Sequence, residues 1–401
     1  MVVGGGQAGL QVCESVRSLG FDGKLLLIGS EKSLPYQRPP LSKAFLYGDT
    51  DLPRLVIRPD KFFEKHNIDL LLNTTVSRID RERHSIALIS GENISYDRIA
   101  LTTGARVRRI KEPDLNSNIC YVRDITDSQN LGNLLATANS VGIIGGGFIG
   151  LEVAAVCNGM GKSVTLIEQA SALMARGVPR DVALYYQEVH SAKGVDIHLN
   201  SAVENIDNYS EKLEITFNGI KKMVDILVVG IGVQPNIELA EQSGLHCENG
   251  IVVNSTGCTL DSKIYAAGDC ASFYSNYYGK HVRLESVQNA IDTAKIVAAN
   301  MLGQQKEYDA VPWFWSDQYD LKLQIAGIVE SDDQPILLGS MEADSFSIFY
   351  FHRSKHVGTI SINKPRDHML SRKLLSKDSD LRPEQLHTPS FNLSGFAKKL
   401  Q

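Results

Sequence analysis

The same strand, glycine turn, helix and strand pattern occurs twice, about 140 residues apart, and it restricts the fold more than any other feature. Val2-Val3 leads into Gly4-x-Gly6-x-x-Gly9, a helical stretch carrying Leu10, Val12, Val16 and Leu19, and an apolar strand over 24–29. Val141 to Ile144 leads into Gly145-x-Gly147-x-x-Gly150, a helix with Leu151, Val153, Ala154 and Val156, and a strand over 163–167 that ends at Glu168. The first glycine of such a turn permits the tight bend. The second lets backbone N–H groups approach a pyrophosphate, and the third lets helix and strand pack closely. The helix N-terminus adds unpaired donors and a partial positive charge. One copy would be weak evidence, but two copies in matching contexts predict two dinucleotide sites.

Each copy is followed by an apolar strand ending in glycine, over 96–104 and 224–230, and the segment Ile264 to Asp269 closes the set. This order predicts an α/β fold of two Rossmann-like dinucleotide-binding domains, one inserted in the other. The outer domain is expected at 1–108 and 235–311, and the inserted one at 109–234. The last stretch, 312–401, reads differently. Strand-like runs at 321–325 and 345–351 precede a helical stretch from about 368 to 377, which predicts a small α+β domain. The extreme C-terminus is expected to be loosely held.

A length of 401 residues suits two or three domains, and 43% apolar with 22% charged residues is an ordinary globular composition. The formal charge of −5 argues against a generic binder of nucleic acid or anionic membrane, although it leaves room for a local basic patch. No apolar run approaches the roughly 18 residues of a spanning helix, and no secretory leader is visible, so a cytoplasmic protein is expected. The first strand has only Met1 to Val3 before its glycines, which leaves a natural start upstream open. Six scattered cysteines form no CxxC or zinc-like spacing, so neither a disulfide framework nor a protein-bound cluster or other metal site is expected.

An acidic residue at the end of the second strand accepts a hydrogen bond from a ribose 2′-hydroxyl and repels a 2′-phosphate. Glu168, 18 residues after Gly150, is placed for that role and favours NADH over NADPH. Arg176, a few residues on, is the residue that could greet a phosphate instead. In the first copy the strand ends Gly29-Ser30-Glu31, so either Glu31 or Ser30 reaches the adenosine ribose.

Pro35-Tyr36-Gln37-Arg38-Pro39-Pro40-Leu41-Ser42-Lys43, the run from Gly145 to Glu152, Ala267-Gly268-Asp269-Cys270, Glu285 to Ala290, and Pro312-Trp313-Phe314-Trp315-Ser316-Asp317-Gln318 appear in this order. Together they resemble the FAD- and NADH-dependent ferredoxin reductases of bacterial oxygenase systems, over essentially the whole chain. The resemblance implies FAD in the outer domain, NADH in the inserted one and a C-terminal interface domain. It implies an FAD site drawing on Gly4, Gly6, Ala8, Gly9, Ser30 or Glu31, Arg38, Lys43, Val76, Thr103, Gly104, Arg123, Asp269, Val287 and Trp315. For NADH it implies Gly145, Gly147, Ile149, Gly150, Glu152, Glu168, Arg176, Gly230 and Gly232. Asp269 would hold the ribityl chain, Trp315 would shield the flavin ring, and Lys43, in a stiff non-helical approach, would place its charge at the ring edge. Glu152, read as lying in the first turn of its helix, would pair with Lys43 across the hydride site although the two come from different domains. The expected reaction carries a hydride from NADH to FAD and single electrons onward to a small iron–sulfur protein, a [2Fe–2S] ferredoxin or a rubredoxin.

Two competing readings remain from the residues themselves. A thiol-based flavoenzyme needs a cysteine poised beside the flavin, and the segment Leu41-Ser42-Lys43 offers none. A nucleotide-binding module without acceptor turnover would bind FAD and reduce nothing. For an acidic ferredoxin the expected docking charges are Lys295 on the helix after Ser286, with Arg372 and Lys373 on the C-terminal helical stretch.

Overall fold

The computed structural model describes residues 1–110, 118–209, 211–275, 278–388 and 391–399, so part of the C-terminal end read as loosely held lies outside the described residues. The chain divides into two compact units. One comprises Met1–Gln37, Leu52–Arg106 and Val233–Pro312, and the other Arg38–Asp51, Val107–Gly232 and Trp313–Gln401. This grouping differs from the expected domains in two ways. Residues 38–51 leave the first dinucleotide unit for the second, and the C-terminal segment joins that second unit too.

The first unit is built on a five-stranded sheet with strands in the order 264–266, 99–101, 2–3, 25–28 and 68–71, every neighbour parallel. The strand order reverses on either side of Val2–Val3, so the crevice beyond its carboxyl end is the switch point where such sheets bind ligands. Gly4 occupies that end. The helix Gln7–Ser18 buries Leu10, Val12, Cys13 and Val16, spaced to share one face, in a core with Ala294, Val297 and Ala298 of the helix Val287–Met301. Ser286 caps the latter, its hydroxyl accepting from Asn289 N at 3.0 Å.

The second unit repeats the topology. Its parallel sheet runs 196–198, 163–167, 140–144, 226–229 and 119–120, with the switch at the end of Ser140–Ile144. The helix Phe148–Gly159 is apolar nearly all round, and Leu151, Val153, Ala154 and Cys157 have no exposure. Such a helix is mostly covered, here by its own sheet and by the strand Trp313–Gln318. That strand opens an antiparallel sheet in the order 313–318, 321–327, 355–362, 345–352 and 334–340, against which the helix Pro365–Ser376 packs. The alternation of Leu321, Leu323 and Ile325 made one of these strands readable from the sequence. Trp313–Gln318, Gln334–Ser340 and Lys355–Ile362 carry weaker alternation and were not anticipated.

The third glycine of each turn is under the tightest steric limit. A Cβ on Gly9 would lie 1.9 Å from Gly4 O, and one on Gly150 would lie 2.1 Å from Gly145 O. Space at Gly6 and Gly147 is open for at least 4 Å. Gly150→Ala should therefore cost ~1–3 kcal/mol of stability in urea melts, as overpacking does. Gly147→Ala should stay within ~0.5 kcal/mol of the parent and lose nucleotide affinity instead.

Candidate functional site

The first dinucleotide cradle starts from the bend at Gly4, whose φ of +120° suits glycine alone and whose absent Cβ would otherwise meet Thr102 O at 2.1 Å. Thr102 was not among the residues inferred from the sequence, yet its hydroxyl donates towards Val3 O and Gly4 O at 3.1 and 3.0 Å and fixes the turn. Nothing crowds Gly6, so the backbone N–H groups opening the helix Gln7–Ser18 can be approached by a pyrophosphate. The open second glycine, its two sterically crowded neighbours and the helix end fit a dinucleotide. Gly268, at φ +76°, lies where a Cβ would meet the Ala8 side chain at 3.0 Å, so Asp269 follows a turn pressed against the cradle's own helix. Ser30 is exposed, and Glu31 is held by the Tyr36 hydroxyl, which donates to its carboxylate at 2.5 Å. Thr103 and Asn236 are tied by two hydrogen bonds of 2.7 and 2.8 Å beside Gly104. Val76 is buried at the start of the strand Val76–Asp80, and Val287 opens its helix.

The second cradle is the same device with a different lock. Gly145, at φ +104°, packs against the backbone of Gly230, and the space at Gly147 is again open. Glu168 ends the strand Ser163–Ile167, and its two carboxylate oxygens accept from Gly146 N and Ala170 N, each at 2.6 Å. A carboxylate offers about four acceptor positions, so two remain for ribose hydroxyls. Ile149 is 43% exposed, an apolar side chain left open beside the cradle. Arg176 is exposed and lies against Gly232, where a Cβ would meet its Nη2 at 3.0 Å.

The residues around Glu152 correct the sequence reading in three respects. Its helix begins at Phe148 and has no acid in its first turn, so Glu152 stands in the second turn and is buried at 2% exposure. It therefore cannot act as a solvated complement to the helix dipole. Pro39–Ser42 is a 3₁₀ turn rather than a non-helical approach, with Lys43 following it. Finally, Lys43 and Glu152 belong to the same compact unit. Lys43 Nζ lies 2.7 Å from Glu152 Oε2, which also accepts from Ser42 Oγ at 2.5 Å, while Glu152 Oε1 accepts from Ser316 Oγ at 2.6 Å. Arg38 donates to Arg123 O at 2.8 Å, which ties the same 38–51 segment to the start of the helix Ile125–Leu135.

Trp315 and Trp313 are neighbours on one strand, with ring centroids 5.5 Å apart, and the Arg372 guanidinium lies 4.4 Å over the Trp313 ring. Lys373 donates to Ala397 O at 2.8 Å, so its charge braces the C-terminal helix. Lys295 is 56% exposed, with Asp292 at 3.7 Å.

All six cysteines are free, and burial pushes each thiol up: Cys13 and Cys157 to about 12, Cys120 and Cys247 to about 11, and Cys258 and Cys270 in the same direction. The nucleophilic thiolate appears only as pH rises through the folded value, so none is supplied near neutrality. Iodoacetamide at pH 7 should leave the folded protein's cysteines largely unmodified by mass spectrometry, with labelling of the half-exposed Cys247 and Cys258 appearing first as pH is raised. A double-mutant cycle on Lys43→Met and Glu152→Gln, read by urea melts, should give a coupling of ~1–3 kcal/mol, the range for directly paired groups.

Residues 1–294 match the pyridine nucleotide-disulphide oxidoreductase family, and residues 313–397 match the reductase C-terminal family. The chain is 42% identical over 396 residues to rhodocoxin reductase of Rhodococcus erythropolis, covering 98% of this chain and 93% of that protein. It superposes on the ferredoxin reductase for the CYP199A2 system from Rhodopseudomonas palustris with a TM-score of 0.95 at 40% identity, covering 99% of this chain and 98% of that one. The covalent putidaredoxin reductase–putidaredoxin complex gives a TM-score of 0.96 at 34% identity, over 100% and 98% of the two chains. The chain therefore belongs to the pyridine nucleotide-disulphide oxidoreductase family, whose members use FAD and a nicotinamide nucleotide, within its branch of ferredoxin reductases.

Proposed function

We propose that this protein oxidises NADH and reduces a small [2Fe–2S] ferredoxin that serves an oxygenase or a cytochrome P450. The observation that carries this reading is the combination of two open dinucleotide cradles with six thiols held protonated. Two nucleotides on one chain imply electron transfer between them, and without a thiolate the electrons leave for an external acceptor rather than a disulfide. Bound FAD supplies the conversion between a two-electron hydride donor and one-electron acceptors.

The chain's own residues bind and orient. Gly4, Gly6 and Gly9 hold the FAD pyrophosphate at the first helix N-terminus, with Glu31 towards the adenosine ribose and Asp269 towards the ribityl chain. Gly145, Gly147 and Gly150 do the same for NADH, and Glu168 selects it by accepting from the 2′-hydroxyl and repelling a phosphate there. The ammonium of Lys43 and the buried carboxylate of Glu152 form a fixed dipole for the nicotinamide end. We keep 1–108, 109–234, 235–311 and 312–401 as the proposed domain limits.

The testing experiment is steady-state cytochrome c reduction with NADH, with and without added ferredoxins and rubredoxins. Strong stimulation by a ferredoxin is expected. Stimulation by rubredoxin alone would reassign the acceptor, and FAD binding without turnover of any acceptor would favour the binding-module reading. In stopped flow, NADH should bleach the flavin much faster than NADPH, and Glu168→Ala should narrow that preference by ~1–3 kcal/mol, the worth of a charge-assisted hydrogen bond. Lys295→Glu should slow ferredoxin reduction and flatten its dependence on ionic strength, because steering by exposed charges fades beyond about 8–10 Å at physiological salt. Ferricyanide reduction, which needs no protein docking, should change far less.

A further inference from the structure

Ser316 is not the end of the polar contacts that begin at Glu152. Ser316 Oγ lies 3.2 Å from Gln318 Nε2, Gln318 Oε1 lies 2.9 Å from His190 Nε2, and His190 Nδ1 lies 3.3 Å from the Tyr319 hydroxyl. Ser316, Gln318 and His190 have no exposure, while Tyr319 is half-buried beside Lys193, whose ammonium sits 5.3 Å over its ring. Five side chains from two helices and one strand with its following turn thus connect a buried carboxylate to the edge of the same unit.

Hydrogen positions in such a chain follow from its chemistry. An ionised carboxylate only accepts, so Ser316 must donate its proton to Glu152 Oε1. The Ser316 oxygen then accepts, which it does from the amide nitrogen of Gln318. That orients the Gln318 carbonyl towards His190 Nε2, and a carbonyl requires a donor, so Nε2 carries the proton. In the neutral ring Nδ1 is then bare and accepts from the Tyr319 hydroxyl. The second Gln318 N–H faces Met174 Sδ at 3.9 Å, a weak acceptor consistent with this orientation. Burial holds the His190 ring below its ordinary pKa, which favours the neutral form.

We propose that Ser316, Gln318, His190 and Tyr319 form a hydrogen-bond chain running in one direction, which orients the Glu152 carboxylate against Lys43 and fixes His190 as its Nε2–H tautomer. Each donor polarises the next, so the terminal hydroxyl offered to Glu152 is a stronger donor than an isolated serine. Ser316, Gln318 and His190 act through Glu152 and are positioning residues. The consequence for turnover rests on the reading of Glu152 as part of the nicotinamide site, whereas the tautomer does not.

The test is ¹⁵N NMR of the oxidised, FAD-loaded protein labelled at its ten histidines, without nucleotide, with the His190 signals identified by their loss in His190→Gln. The Nε2–H tautomer is expected in the parent. An Nδ1–H ring in the parent would overturn the proposal. Ser316→Ala cuts the chain without touching Lys43. It should remove the tautomer preference and slow flavin reduction by NADH about tenfold, the effect of losing one buried hydrogen bond, with the NADH Kd held within about twofold. A Ser316→Ala protein that weakens NADH binding instead, or keeps the parent tautomer, would count against the positioning role. Because the ring signal is read without NADH or acceptor, its failure is separate from any failure of the reductase reading.

Discussion

A carboxylate held at 2% exposure against the Lys43 ammonium is the constraint around which the second unit is organised. Removing such a group from water costs several kcal/mol even after relaxation, unless good geometry and further hydrogen bonds offset it. Glu152 sits on the buried side of its helix, so its partners must come from other segments. Ser42 and Lys43 come from the 3₁₀ turn and the residue after it, and Ser316 from the first strand of the C-terminal sheet. This requirement accounts for the grouping of 38–51 and 313–401 with the second dinucleotide fold. The carboxylate needs both, and each brings apolar side chains into the common core, Leu46 from the former and Leu321, Leu323 and Phe346 from the latter.

The sheets and their glycine turns were legible in the sequence because their signals are local. Strand, turn and helix follow one another within about thirty residues, and each glycine answers to a steric limit that its neighbours impose. The locks behind those turns were less visible. Thr102 closes the first turn with a side chain, whereas Gly230 closes the second with its backbone, and only the latter was picked out in advance. A threonine before Thr103-Gly104 carries no mark of its own until the strand 99–101 is placed beside Val2–Val3.

The environment of Glu152 was legible in part. Motif resemblance suggested its pairing with Lys43, whereas its place in the second turn depended on where the helix starts, which the glycine spacing does not mark. Gln318 stood at the end of a quoted motif, but its contact with His190 was out of reach. The two lie 128 residues apart, in a strand end and in a helix packed on another sheet, and His190 stands in no pattern that periodicity or spacing would single out. Long-range polar contacts of this kind are specified by the packing of elements and leave no regular trace in the sequence.

Glu168 is bound before any nucleotide arrives. Its oxygens are spanned by Gly146 N and Ala170 N, so the residue proposed to choose the cofactor is also a brace of the loop that would receive it. Exchanging it for a side chain that welcomes a 2′-phosphate would orphan two amides at the mouth of the cradle. Cofactor choice and loop geometry are therefore not independent variables in this chain. A lineage or an engineer moving it towards NADPH would have to rebuild the turn in the same step, and single substitutions along that route should pass through poorer binders of both nucleotides.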